Sequence, residues 1–266
     1  MPDTDTQPLT PRRILLVIAT GVGAGFLSGL FGVGGGLVIV PALMAVLRMD
    51  QRRASATSLA AIIVTAAVGS GTYALHGEVS WAGGALLVVG ALVGSQIGVW
   101  LLRRLPAPSL PWILIGFTLF VIVSQYLQVP TREGVVSLTS ASCALLILVG
   151  VCAGILSGLV GVGGGSVIVP GMELAVGAGD LIARGTSLLV MIPTGIAGTV
   201  TNLRHRMVDL RVGLIVGASA AATAPAGRLV ATLVSPSVGA ILFNIFLVSI
   251  IASTILKMRK KARAQG

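Results

Sequence analysis

Two copies of a glycine-rich turn carry the clearest chemical signal in the sequence. Gly32, Gly34, Gly35 and Gly36 stand between two apolar runs, and Gly161, Gly163, Gly164 and Gly165 stand between two more. Glycine opens backbone conformations closed to other residues and lets a ligand come close to the chain. In an apolar setting the freed N–H groups need partners. Several of them converging at a helix start form a concavity suited to a small oxyanion. The same glycines admit a plainer reading, as the close helix contacts common in membranes. Thr57-Ser58 and Thr186-Ser187 follow the turns at matching positions, and their hydroxyls either cap the next helix or donate to the same anion. Neither turn is a phosphate-binding P-loop, because Gly-Lys-Ser/Thr is missing, and neither fits Gly-x-Gly-x-x-Gly.

Other residues with chemical potential are few. Tyr73 and Asn202 hold matching places shortly before His76 and His205. A pair of histidines at matching places suits a coupling proton, and a solvated loop position is the alternative. Glu173 and Arg228 are ionisable residues inside apolar runs, which makes them functional candidates; an outer-boundary position for Glu173 and a snorkelling one for Arg228 are the competing readings. Gln96 and Asn244 either line a polar path or bond helix to helix. Cys143 and Cys152 share one apolar run and read as packing residues, neither a metal pair nor a disulfide framework. No metal or other cofactor is expected.

The elements that carry these residues belong to a membrane protein. Hydrophobic residues make up 55% of the chain and charged residues 10%, against about 25% charged in an average soluble domain, and the mean hydropathy is +1.01. The turns also belong to a repeat. Gly25–Pro41 and Gly154–Pro170 differ at only three of seventeen positions, every residue standing 129 after its partner (154 − 25 = 129). The same shift carries Gly69 onto Gly198, His76 onto His205 and Gly98 onto Gly227. Each half divides into five apolar elements, at 13–33, 35–47, 54–75, 80–104 and 110–128, and at 138–162, 164–178, 182–203, 208–234 and 237–256. The fold class expected is all-α, since an open strand edge cannot sit in lipid. The second element of each half is about 20 Å long at 1.5 Å per residue, short of the roughly 30 Å hydrocarbon core, which predicts an interrupted or re-entrant Gly-rich hairpin. The run after Arg12-Arg13 resembles a secretory signal, but its counterpart deep in the second half marks it as a retained helix.

Basic residues set the orientation. The net charge is +10, and it sits in short connections, as in cytoplasmic loops; no basic stripe or aromatic platform points to nucleic acid. Arg12 and Arg13, then Arg48, Arg52 and Arg53, then Arg103 and Arg104 flank elements of the first half. In the second half Arg204, Arg206 and Arg211 crowd the loop whose first-half counterpart has no Lys or Arg. The two halves are therefore expected to be inverted, with both termini cytoplasmic. The layout is a cytoplasmic tail (1–12), a first transmembrane repeat (13–128), an extracytoplasmic linker (129–137), a second repeat (138–256) and a basic cytoplasmic tail (257–266). Inverted repeats with interrupted helices are the architecture of many secondary transporters, which bind substrate near the midplane.

At the duplicated Gly-Val-Gly-Gly-Gly turns, at Pro41 and Pro170 and at Ala56-Thr57-Ser58-Leu59, the sequence resembles the sulfite exporter family TauE/SafE, bacterial membrane permeases. The second copy reads Gly185-Thr186-Ser187-Leu188, with glycine in place of alanine. The resemblance implies export of sulfite or a related organosulfur anion such as sulfoacetate. The expected function is a secondary transporter, an exporter working by alternating access. A passive anion channel and a permease for another small anion are the alternatives, and association into a homo-oligomer stays open. The expected substrate contacts are Gly34, Gly35, Gly36, Thr57, Ser58, Gly163, Gly164, Gly165, Thr186, Ser187 and Asn202, with His76, His205 and Glu173 for proton coupling. An intramembrane enzyme finds no support, since His-Glu-x-x-His, Gly-x-Ser-x-Gly and clustered His or Asp pairs are all missing.

Overall fold

The computed structural model describes residues 10–106, 109–126, 134 and 139–263, with backbone alone at 114, 117, 124–126 and 257–263. Among these residues ten helices form, with the expected division into five and five: α1 (Pro11–Phe31), α2 (Gly36–Val46), α3 (Gln51–Ala74), α4 (Trp81–Arg104), α5 (Leu110–Tyr126), α6 (Ser140–Val160), α7 (Gly165–Val176), α8 (Asp180–Arg204), α9 (Leu210–Leu233) and α10 (Pro236–Arg263). Seven of them, α1, α3, α4, α6, α8, α9 and α10, are long and apolar enough to cross a membrane. The expected tail 1–12 is described only from Thr10 and the linker 129–137 only at Gly134. The rest of both, and the end of the basic tail beyond Arg263, lie outside the described residues.

The helix ends follow local chemistry. The first element stops at Phe31, two residues earlier than the apolar run suggests, because Gly32 adopts a left-handed conformation (φ 70°) and returns its N–H to the Ser28 carbonyl. Gly161 ends α6 in the same way (φ 74°), the common left-handed close of a helix. The third element starts earlier than expected, since the Asp50 carboxylate accepts from the Arg53 N–H and caps α3. Ser80 and Asp209, at matching positions, cap α4 and α9 in the same fashion.

The packing is built on glycine. Gly21, Gly25 and Gly29 lie along α1 beside Val216, Ala220 and Ala224 of α9, and a Cβ on any of the three would collide with a backbone carbonyl. Gly150, Gly154 and Gly158 of α6 meet Leu87, Ala91 and Ser95 of α4 in the same manner. Residue numbers rise together along both pairs, so each runs parallel. Such small-xxx-small seams let helix backbones touch where lipid supplies no hydrophobic drive. The two pairs exchange under the shift of 129. In the middle, α3 and α8 run antiparallel: a Cβ on Gly69 would meet Leu188, and one on Gly198 would meet Leu59. The outward faces carry large apolar side chains, among them Leu15, Trp100, Leu148 and Ile245, which an apolar solvent accommodates.

Candidate functional site

The two glycine turns meet at the centre of the molecule. In the first, Gly32, Gly34 and Gly35 have φ of 70°, 74° and 77°; in the second, Gly161, Gly163 and Gly164 have 74°, 90° and 79°. A Cβ on Gly36 would fall 2.5 Å from the Gly161 carbonyl oxygen and 2.6 Å from the Val162 Cα, while one on Gly165 would strike the Gly32 carbonyl. Residues with side chains could not bring the turns so close. Gly35 and Gly164 each lead into a short helix, accepting from the N–H groups of Val38 and Ile39 and of Val167 and Ile168. Among the described residues, the N–H groups of Val33, Gly34 and Gly35, and of Val162, Gly163 and Gly164, make no backbone hydrogen bond. These amides stand just before the start of a short helix, where the helix dipole is positive.

Each half clamps the other half's turn. The Ser58 hydroxyl of α3 donates to the Gly161 carbonyl, and the Ser187 hydroxyl of α8 donates to the Gly32 carbonyl. Ser55 Oγ reaches the Val160 carbonyl at 2.9 Å, while Arg184, its counterpart, reaches the Leu30 carbonyl with Nη1 at 2.6 Å. Thr57 and Thr186 accept from the N–H groups of Asp209 (3.1 Å) and Ser80 (2.9 Å), which hold the opposite half's loops. All five of these hydroxyl residues are fully buried. Instead of capping their own helices, they tie one half to the other.

Two further side chains fill the space between the turns. Met191 Sδ would contact a Cβ on Gly34 or on Gly163, and Ile62, its counterpart at the shift of 129, would lie 3.3 Å from a Cβ on either glycine. Both are fully buried. Ile62 and Met191, one residue from each half, thus form an apolar septum lying against both turns.

The remaining expected residues are placed as follows. Asn202 is fully buried with neither side-chain atom hydrogen-bonded among the described residues, and it is held at the end of α8 in the place of Tyr73. His76 and His205 lie in exposed loops after α3 and α8, away from the turns; His76 Nδ1 is 2.8 Å from the Thr72 carbonyl, and His205 Nε2 contacts Arg103. Glu173 is partly buried on α7. Gln96 accepts from Thr201 across α4 and α8 at 2.9 Å, so it bonds helix to helix.

Arg228 is paired within the protein. It is 8% exposed and pairs with Glu78, Nε to Oε2 and Nη2 to Oε1, both at 2.8 Å. Arg184, 7% exposed, pairs with Asp180 at 3.2 Å. Sequence reading passed over Arg184, Asp180, Ile62 and Met191. The shift of 129 that pairs Ile62 with Met191 was the one signal available for the septum.

The family model for the sulfite exporter TauE/SafE matches residues 2–124 and 146–266. A probable membrane transporter protein of Bacillus subtilis, YunE, is 27% identical over 71% of this chain and 78% of its own length. Probable membrane transporter proteins of Xylella fastidiosa strain Temecula1 and of Haemophilus influenzae are 27% and 29% identical, over 86% and 70% of this chain and 89% and 72% of their own lengths. No solved structure gives a significant match. With its apolar spans, its paired glycine turns and this match over nearly its whole length, the chain belongs to the sulfite exporter TauE/SafE family of membrane proteins.

Proposed function

We propose that the protein is a secondary transporter that exports a small sulfur-containing anion, sulfite or an organosulfonate, across the bacterial inner membrane. Its two halves are inverted repeats with both termini in the cytoplasm, and α1–α2 and α6–α7 are re-entrant hairpins that bend at the glycines. The observation that carries the reading is the meeting of two turns whose amides lack backbone acceptors deep inside an apolar helical core. The antiparallel course of the counterpart helices α3 and α8 supports the inversion. At about 16–18 Å by rise per residue, α2 and α7 cannot cross a bilayer alone, which supports the hairpins.

In this reading the anion is held by the amides at Gly34, Gly35 and Gly36 and at Gly163, Gly164 and Gly165. Thr57, Ser58, Thr186 and Ser187 hold the two turns in register and lend a hydroxyl as the halves shift. Asn202 offers an amide that has no partner among the described residues. The Ile62–Met191 septum divides two half-sites, so that the anion passes when one half rocks against the other, the alternating access expected of inverted repeats. For a coupling proton the reading assigns His76 and His205 at matching loop positions, and Glu173 on α7.

The test is counterflow in liposomes containing the purified protein. Sulfite inside the vesicles is expected to accelerate uptake of labelled sulfite, and sulfoacetate is expected to compete while sulfate competes weakly. Flux without trans-stimulation would mean a channel, and no sulfite flux at all would end the substrate assignment.

A further inference from the structure

Around the turns the two halves are close copies, yet at one end of the core they diverge. Tyr73, Glu78, Arg184 and Arg228 correspond, at the shift of 129, to Asn202, Met207, Ser55 and Val99. Every charged or aromatic member of this set lies where α3 ends and α8 begins: a Cβ on Gly185 would collide with the Glu78 carbonyl and lie 2.7 Å from the Tyr73 Cβ. The equivalent places at the other end hold uncharged residues. The other end does carry the pair Arg53–Asp209, but at 3.7 Å and with Arg53 30% exposed. A close, two-pronged pair on a buried guanidinium occurs at this end, and since such a pair rarely stabilises a fold more than apolar side chains of similar size do, it calls for a role beyond packing.

The geometry points to a second anion station at Arg228, occupied in this structure by the protein's own Glu78 carboxylate. The guanidinium presents two N–H groups to two carboxylate oxygens, a fork that accepts two oxygens of a sulfite or sulfonate equally well. The fork is held from behind. The guanidinium carbon lies 5.6 Å from the centre of the Tyr73 ring, and the Tyr73 hydroxyl donates to the Gly29 carbonyl at 2.7 Å, in the last turn of α1 before the first glycine turn. Arg184 contacts the adjacent Leu30 carbonyl. Arg228 is fixed on a packed helix, whereas Glu78 sits in the short α3–α4 connection with its side chain 18% exposed. Its neighbour Gly77 (φ 72°) has no atom within 4 Å of an added Cβ. The Glu78 backbone is held by its N–H bond to the Tyr73 carbonyl at 3.0 Å, so withdrawal is a rotation of its partly exposed side chain toward solvent that shifts no packed helix, and an arriving anion takes its place. The existence of a path through the protein rests on the transport reading; the station itself is a matter of binding.

Titration calorimetry on the full-length protein in detergent, with sodium sulfite, sodium methanesulfonate and sodium chloride as probes, tests the station. Removing an intramolecular competitor raises apparent affinity, so Glu78→Gln is expected to bind sulfite and methanesulfonate at least about tenfold more tightly than wild type. Chloride, a single atom that cannot engage both prongs of the fork, should not share the gain, and Glu78→Gln/Arg228→Gln should lose it. Wild-type or weaker affinity in folded Glu78→Gln overturns the station, as does an equal gain for chloride. If Glu78→Gln does not fold, Glu78→Asp carries the test: its carboxylate is one methylene shorter and cannot serve both nitrogens at once. Tighter sulfite binding supports the station and unchanged binding overturns it. Tighter binding without any sulfite flux in liposomes would leave the station standing and remove the transport reading; flux with unchanged binding would do the reverse.

Discussion

Ser58 and Ser187 make one hydrogen bond in opposite senses across the molecule: the first donates to the Gly161 carbonyl, the second to the Gly32 carbonyl. Each serine belongs to one half and each carbonyl to the other, so the two turns are held by reciprocal bonds. Replacing either serine with alanine leaves a buried carbonyl without its donor, which costs about 1–3 kcal/mol. Ser58→Ala and Ser187→Ala should each lower the thermal unfolding temperature in detergent and slow anion flux. Ser219→Ala is the control, because Ser219 Oγ bonds only within its own helix, to the Ile215 carbonyl at 2.8 Å. Equal stability of Ser58→Ala, Ser187→Ala and Ser219→Ala would show that the clamp carries no energy.

Met191 is the flexible half of the septum. Truncating a buried methionine to alanine costs about 2–5 kcal/mol through lost burial and the cavity left behind. Here the cavity would open between Gly34 and Gly163, which Met191 Sδ now approaches. Met191→Ala should therefore be less stable and should also move larger organosulfonates faster relative to sulfite. The flux ratio of a bulky sulfonate to sulfite in liposomes checks this. A loss of stability with an unchanged ratio would take the septum out of the path.

The helix seams make a sharper prediction about glycine. A Cβ on Gly25 would run into the Ala220 backbone, and one on Gly154 into the Ala91 backbone, whereas one on Gly23 would meet nothing within 4 Å. Gly25→Ala and Gly154→Ala must push two helices apart and should cost about 1–3 kcal/mol. Gly23→Ala removes a flexible residue from a helix interior and should gain about 0.5–1 kcal/mol. Thermal unfolding of the three variants ranks them, and a destabilised Gly23→Ala would refute the seam as described.

Repetition explains what could be read before the structure and what could not. The turns, the Thr57-Ser58 and Thr186-Ser187 pairs and the division into ten elements were legible because each appears twice, 129 residues apart. The seams were half legible: Gly21, Gly25 and Gly29 recur every four residues and again at Gly150, Gly154 and Gly158, yet the repeat alone does not name the facing helix. Arg228 stood out as an ionisable residue inside an apolar run, but its partner Glu78 did not. The two stand 150 residues apart in different halves, and neither has a charged counterpart that would flag the pair. Divergence between the copies was the hint to the pairing, and it acquires meaning once α3 and α8 are seen to run antiparallel.

Inversion itself can be decided with two cysteines. His76 and His205 are counterparts, both exposed and both just beyond the end of a long helix. If the halves are inverted, the two positions lie on opposite faces of the membrane; if they are not, they share a face. In a background with Cys143 and Cys152 replaced by serine, a membrane-impermeant thiol reagent added to intact cells should label His76→Cys and spare His205→Cys. Permeabilising the cells should make both reactive. The loop around His205, with Arg204, Arg206 and Arg211, is the one the positive-inside rule assigns to the cytoplasm, whereas the His76 loop has no Lys or Arg. Labelling of both positions from outside would leave the turns without opposed half-sites, and alternating access between the two halves would then lack its geometrical basis.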